Sequence, residues 1–232
     1  MQRKLIIAAL AGLATVASAD ITDLRVTEIF SGQPNDNGTT DWFELTNNGA
    51  TTVSTGGLFY DDNSFDATKD DALDTLTLAA GESAVFLVSW EDDYTDPAIA
   101  VNDFVAFWGL GSGVQVGVVT GGSGLGGGGD AATIFDGNFA SSNLLTSGSY
   151  DSSLGSLRGT VDYAAVAAST AFRTPIDGVE STSALAWAFE SVGVANGPDD
   201  PRTLFGSPGA VPTPASAGLL GFAGLATARR RR

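Results

Sequence analysis

The sequence predicts an all-β protein, specifically an antiparallel β-sandwich. The composition includes 30 glycines and only 16% charged residues, which favours many turns over long surface helices. With 43% hydrophobic and 9% aromatic residues, the chain can bury a core. Aromatic and β-branched residues occur in runs of about four to eight, separated by turn residues at roughly ten-residue spacing, which is typical of sandwiches and barrels.

The chain divides into three parts: a signal peptide over residues 1–19, a β-domain over 20–209 and a sorting tail over 210–232. Strands are expected at 24–30, 42–46, 57–60, 74–78, 83–90, 103–108, 114–120, 131–136, 144–150, 158–166 and 184–189. Residues 181–191 could also form a short helix. Residues 121–129 are rich in glycine and contain a Gly-x-Gly-x-x-Gly match, but a β-type run follows them, so a flexible connection is expected.

The composition excludes several classes of site. Cysteine and histidine are both absent, which removes disulfides, Ser-His-Asp triads and Cys/His zinc sites. Residues 20–209 carry five basic and all 27 acidic residues, a net charge of −22. Since nucleic acids and anionic lipids are bound through clustered Lys and Arg, neither is an expected partner of this domain.

The N-terminus has the pattern of a secretory signal. Arg3 and Lys4 precede an uncharged run over residues 5–17, and the small residues Ala17 and Ala19 stand before Asp20. As a helix this run would span only ~20 Å, short of a ~30 Å hydrocarbon core. Cleavage by signal peptidase is therefore expected between Ala19 and Asp20.

The C-terminus combines prolines, a short apolar run and an arginine cluster. The order is Val211, Pro212, Thr213, Pro214, Ala215, an apolar run to residue 228, and Arg229, Arg230, Arg231 and Arg232. This order resembles the PEP-CTERM sorting signal, with Thr213 where the name-giving Glu would stand. The resemblance implies transient insertion in the inner membrane, cutting by an exosortase, and release to the cell surface or extracellular matrix. The alternative is a tail anchor with basic flanks.

Several segments of the domain resemble the lamin tail domain. The matching segments are 24–30, 41–47, Val53, 57–58, 76–82, 84–88, 125–136 and the closing Gly206-Ser207-Pro208-Gly209. The resemblance implies an immunoglobulin-like sandwich, enlarged here by a glycine-rich centre and an acidic loop. That fold hosts many unrelated tasks, so it implies no function by itself.

The strand at 42–46 alternates between two faces. Trp42 and Glu44 are expected on one side, and Phe43 and Leu45 on the other. Glu44 then needs a basic or hydrogen-bonding partner, and Arg25 is a candidate.

An acidic stretch is the strongest candidate for a binding site. Six carboxylates lie within residues 61–74, namely Asp61, Asp62, Asp66, Asp70, Asp71 and Asp74. They could supply the oxygen ligands that Ca²⁺ prefers, although the spacing is not that of an EF-hand. A solvated acidic loop is the alternative. A second acidic group, Glu91, Asp92, Asp93 and Asp96, could contribute.

These observations predict an exported, non-catalytic surface or matrix protein with a structural or adhesive role, with extracellular polysaccharide or other surface proteins as its expected partners. The first alternative is a calcium- or carbohydrate-binding module, in which Trp90 or Trp108 would stack on sugars, although core packing is expected for both. The second is a hydrolase that uses only carboxylates. With 27 acids, some pair always fits, so that signal discriminates little.

Overall fold

The structure, a computed structural model, consists mainly of β-strands. It describes residues 21–31, 40–64, 71–121, 124–126, 128–137, 143–151, 161–162, 179–180, 189–192 and 204–209. Within these ranges there are two short 3₁₀ turns and one α-helix beside the strands. The prediction of an all-β protein is confirmed.

The strands follow the chain in fourteen segments. They are β1 Leu24–Phe30, β2 Asp41–Asn47, β3 Val53–Ser54, β4 Leu58–Asp61, β5 Asp71–Leu73, β6 Thr77–Leu78, β7 Ser83–Val88, β8 Gln115–Thr120, β9 Gly129–Asp136, β10 Asn143–Asp151, β11 Val161–Asp162, β12 Val179–Glu180, β13 Phe189–Glu190 and β14 Phe205–Gly206. The 3₁₀ turns are Ile21–Asp23 and Trp90–Asp92, and the helix α1 is Pro97–Trp108.

Ten of these strands form one sheet in the order β10-β9-β4-β5-β8-β7-β2-β1-β11-β12. All neighbours are antiparallel except β7 and β8, which are parallel and are connected through α1. The sheet curls until β10 meets β1, where the Val26 amide donates to Thr146 Oγ1 at 3.2 Å. The sheet is therefore barrel-like, and the immunoglobulin-like sandwich stays a prediction.

Most of the predicted strands are present at or near their predicted positions, but residues 103–108 form a helix. Asp96 accepts a hydrogen bond from the Ala98 amide as N-cap, Pro97 occupies the first turn, and Gly109 ends the helix at a φ of 66°. The buried positions 100, 104, 107 and 108 recur with helical spacing. The strand prediction was wrong because it considered only the last six residues of this pattern.

The strand predicted at 74–78 is shorter than expected. Of residues 74–78 only β6 is a strand, and β5 precedes it at 71–73. The strands predicted at 158–166 and 184–189 lie largely outside the described residues, which include only β11 and the start of β13 there.

The hydrophobic core has two layers on opposite faces of β2. Inside the barrel, Phe43 stacks on Tyr60 at a ring distance of 5.2 Å and on Phe86 at 5.5 Å. Outside it, Trp42 packs edge-on against Phe104 and Trp108 of α1 at 5.6 and 5.8 Å. The predicted alternation thus places Trp42 under the helix and Phe43 in the barrel, and both are fully buried.

Candidate functional site

The residues predicted to direct export lie outside the described part of the chain. They are Ala17, Ala19 and Asp20 at the signal-peptide junction, Val211, Pro212, Thr213, Pro214 and Ala215 in the sorting motif, and Arg229 to Arg232. Their roles stay predictions. Across the described ranges, the structure contains no helix whose length and apolar character would suit a membrane span.

The acidic stretch forms a hairpin of which the structure describes both strands. Asp61 ends β4 and Asp71 begins β5, near the hairpin tip, and both are buried. The hydroxyl of Ser64 lies 3.3 and 3.2 Å from the two carboxylate oxygens of Asp61, and the Ser64 amide donates to Asp62 at 2.7 Å. Asp66 and Asp70 lie outside the described residues.

Asp74 is not brought to the hairpin tip. It lies three residues beyond Asp71, which corresponds to ~10 Å of extended chain, and its carboxylate accepts a hydrogen bond from the Val118 amide at 3.0 Å. Asp74 therefore anchors the end of β5 to β8. Among the described residues, no three His, Cys, Asp or Glu side chains are grouped so that they could hold a metal ion. Calcium binding by the complete acidic stretch stays a prediction.

The second acidic group and the two candidate tryptophans have structural surroundings. Glu91 and Asp92 belong to the 3₁₀ turn at Trp90–Asp92, and Asp96 caps α1. Trp90 is buried and donates from Nε1 to the Val119 carbonyl at 2.9 Å, and Trp108 is buried under the helix. The expected core role of both tryptophans is confirmed, so neither ring is presented to a sugar.

The closing segment Ser207-Pro208-Gly209 is held by two buried glutamates. The amide and hydroxyl of Ser207 donate to the Glu28 carboxylate at 2.8 and 3.0 Å. The Gly209 amide donates to Glu44 Oε2 at 2.7 Å. Glu28 and Glu44 face each other across β1 and β2, and each is only 1% exposed. We call these contacts the C-terminal latch.

Polar neighbours help to satisfy Glu44 within the latch. Thr27 Oγ1 donates to Glu44 Oε1 at 2.6 Å, and Thr27, Thr46 and Ser83 form a chain of hydroxyl contacts beside it. The guanidinium of Arg25, predicted as a partner of Glu44, donates to the carbonyls of Thr22 and Leu24. Burial lowers the pKa of Arg25, and Asp23 partly opposes this effect. The Gly209 partner could not be predicted from sequence, because it lies 165 residues from Glu44.

The described part of the glycine-rich segment is fastened to the barrel. Leu125 is 4% exposed and belongs to the interior core. Its amide donates to Asp41 Oδ2, and the Gly126 amide donates to Asp130 Oδ2, both at 2.6 Å. The expectation of a flexible connection is therefore wrong for residues 124–126. The segment is held by Asp41, which is 84 residues away, by Asp130, which is four residues from Gly126, and by the buried side chain of its own Leu125.

Tyr150 lies beneath the same segment, and Tyr60 is a second buried tyrosine of the interior core. Tyr150 donates to the Gly126 carbonyl at 3.0 Å, whereas the Tyr60 hydroxyl is fully buried without a hydrogen-bond partner among the described residues. Burial raises the pKa of both hydroxyls, and Asp130 and Asp41 add to the rise. A hydrogen bond with Ser31 opposes the rise for Tyr150. The sequence did not predict that Tyr60, Tyr150, Asp41 and Asp130 lie near one another, since they come from four separate segments.

Comparisons with protein-family models, with curated proteins and with solved structures found no match to this chain.

Proposed function

We propose that this chain is an exported, non-catalytic protein of the cell surface or extracellular matrix, with a structural or adhesive role, and that an exosortase-type system sorts it. Its central part is proposed to be an immunoglobulin-like domain of the lamin-tail type. The absence of both His and Cys supports a non-catalytic role, because it removes the commonest bases and nucleophiles.

The observation that carries this proposal is the C-terminal latch. Ser207 and Gly209 belong to the last segment that the structure describes, and both contact β1 and β2 through Glu28 and Glu44. Only residues 210 and 211 separate Gly209 from Pro212. The latch thus lies immediately before the proposed sorting motif in the sequence. A cut within that motif would leave the latch residues Ser207 and Gly209 in the domain, as sorting requires.

The latch also supports the proposed domain type. The segments that resemble the lamin tail domain at 24–30, at 41–47 and at the closing Ser207-Pro208-Gly209 lie far apart in sequence. The structure brings them into contact through Glu28 and Glu44. Such contact is expected if the three segments belong to one domain whose last segment packs on its first two strands.

The sorting step can be tested with a C-terminal epitope tag on the full chain. The tagged chain is expressed in a bacterium with an exosortase system and in its exosortase-deletion strain. We expect loss of the tag and appearance of the protein at the surface only in the first strain, with a new C-terminus near Pro212 found by mass spectrometry. Replacing Pro212 and Pro214 by Ala should retain the tag, whereas Pro208→Ala is the control outside the motif. An intact chain that stays in the cytosol of both strains would refute the proposal.

The adhesive role needs a separate test. The released protein is incubated with the polysaccharide of the producing cells, with and without Ca²⁺, and the bound fraction is measured after sedimentation. We expect binding above that of an unrelated acidic protein of similar net charge. Equal binding by that control would show that only charge is involved.

A further inference from the structure

Four segments bring oxygen-bearing side chains together at one end of the barrel interior. Asp41 lies two residues before Phe43 on β2, so both point to the same face, and Phe43 stacks on Tyr60. Asp130 and Tyr150 are cross-strand partners on β9 and β10. Asp130 also accepts a hydrogen bond from the Asn63 amide, just beyond β4. We call Asp41, Tyr60, Asp130 and Tyr150 the oxygen cluster.

The glycine-rich segment covers this cluster at close range. Consecutive amides, those of Leu125 and Gly126, donate to Asp41 and Asp130 respectively at 2.6 Å. Because consecutive amide nitrogens are less than ~4 Å apart, the two accepting oxygens lie within ~9 Å of each other. A Cβ on Gly124 would meet Ser89 Oγ at 2.9 Å and Asp41 Oδ2 at 3.3 Å. Glycine at this position therefore allows the backbone to approach the carboxylate.

The Tyr60 hydroxyl is an independent sign that a ligand belongs here. It is 0% exposed, and it has no hydrogen-bond partner among the described residues. A buried hydroxyl without a partner is costly, and it is rare in folded proteins. Burial raises the pKa of this hydroxyl most, and Asp130, Asp41, Asp62 and Tyr150 add to the rise. Tyr60 stacks on Phe43, which shares its face of β2 with Asp41, and it precedes by three residues Asn63, whose amide donates to Asp130. The hydroxyl therefore lies in the same region of the barrel as the two carboxylates, where a bound ion would satisfy it.

The cluster lacks a basic counter-charge from the described residues. Arg25 is the only Lys or Arg among them, and it pairs with Thr46 in the β1–β2 register, five residues along β2 from Asp41. This separation is ~17 Å along the strand, beyond the ~8 Å screening length at physiological salt. The two carboxylates accept hydrogen bonds from backbone amides of the described residues, those of Leu125, Gly126, Asn63 and Ala131.

We propose that Asp41, Asp130 and Tyr60 bind one hard divalent cation of the Ca²⁺ type, with Tyr150 and the Gly126 carbonyl beside it. The donors are all oxygens, which Ca²⁺ prefers, and two carboxylates match its charge. This site differs from the acidic stretch at 61–74 predicted from sequence. It contains two carboxylates, so it does not conflict with the lack of any three-membered acidic group among the described residues.

The test is a Ca²⁺ titration of the purified full-length chain by calorimetry, together with Tb³⁺ luminescence excited through tyrosine. We expect one site. Asp130→Asn and Asp41→Asn should each raise the Kd at least ten-fold, and Tyr60→Phe several-fold. Asp74→Asn, which removes an acid of the predicted stretch, is the matched control and should leave the Kd unchanged. Circular dichroism verifies the fold of each variant.

Tyr60→Phe gives a second measurement that does not depend on the aspartates. In chelator this variant should be at least as stable as the parent chain, because it removes an unpaired buried hydroxyl. In Ca²⁺ at 100 times its Kd, the unfolding constant of the parent chain should fall ~100-fold, and that of Tyr60→Phe by less. No Ca²⁺ binding at millimolar concentration, or binding lost in Asp74→Asn but kept in Asp130→Asn, would overturn the proposal.

Discussion

Removing the Glu44 carboxylate should weaken the C-terminal latch by an amount that the structure allows us to estimate. Glu44→Ala leaves the partly buried amide of Gly209 without its Glu44 acceptor, whereas the Thr27 hydroxyl still has Thr46 Oγ1 at 2.8 Å. An orphaned buried donor costs ~1–3 kcal/mol, and the lost side-chain packing adds to this. Relief of the like-charge pair with Glu28 offsets part of the loss. We expect the free energy of unfolding to fall by about 3 kcal/mol.

The variant Glu44→Gln shows how much of the loss comes from the hydrogen bonds, because it keeps a side chain of nearly the same size. In Glu44→Gln the carboxamide oxygen can accept from Gly209, and its NH₂ group can donate to Thr27 Oγ1, so a loss of about 1 kcal/mol is expected. Both variants are measured by urea denaturation followed by tryptophan fluorescence, with an unchanged m-value as the check on two-state unfolding. Asp92→Ala, at an exposed position, is the control and should change stability by less than ~0.5 kcal/mol. If Glu44→Ala behaves like this control, the latch does not stabilise the domain.

Two further predictions concern the tyrosines and the layer beneath α1. Burial raises the pKa of Tyr60 and of Tyr150, so above pH ~10 the unfolded chain releases protons that the folded chain retains. The free energy of unfolding should therefore fall by ~1.4 kcal/mol per pH unit for each tyrosine. Tyr60→Phe should remove one of these two contributions, as measured by urea denaturation between pH 9 and 11. Equal slopes for the two proteins would contradict this assignment. Trp108→Ala should lower the free energy of unfolding by ~3–5 kcal/mol, because the ring is 2% exposed and packs against Trp42. Ile99→Ala, at a position on the same helix that is 50% exposed, should change stability little. Similar losses for both variants would show that α1 is not packed as described.

The sequence predicted the strands best where a short run alternates between buried faces. β1 and β2 lie at or within one residue of their predicted bounds, because aromatic and β-branched residues there are flanked by turn residues. The helix α1 was not predicted because its second half, 103–108, is also an apolar run of the length typical of a strand. Its N-cap Asp96 and first-turn Pro97 were the signals that could have identified it.

Long-range contacts were beyond prediction because no local pattern encodes them. The Glu44–Gly209 and Asp41–Leu125 hydrogen bonds join residues 165 and 84 positions apart. The need of Glu44 for a partner was predictable from the cost of burying a charge, but its identity was not. The closing of the sheet, where Val26 meets Thr146, depends on the curvature of the eight strands from β10 to β1 and likewise lies outside any window of sequence.

The latch and the oxygen cluster share one physical principle, which explains how so acidic a chain can fold. In the latch and at Asp41 and Asp130, backbone amides donate directly to carboxylates. Amide donors stabilise the charged form of a carboxylate without requiring a basic side chain. They cannot cancel its net charge, however, so residues 20–209 keep the −22 that repels other anions. In the latch each acid has at least one backbone donor and both are only 1% exposed. At the oxygen cluster the buried Tyr60 hydroxyl has no hydrogen-bond partner in the described part of the chain, and it is there that added cations should raise the stability of the fold most.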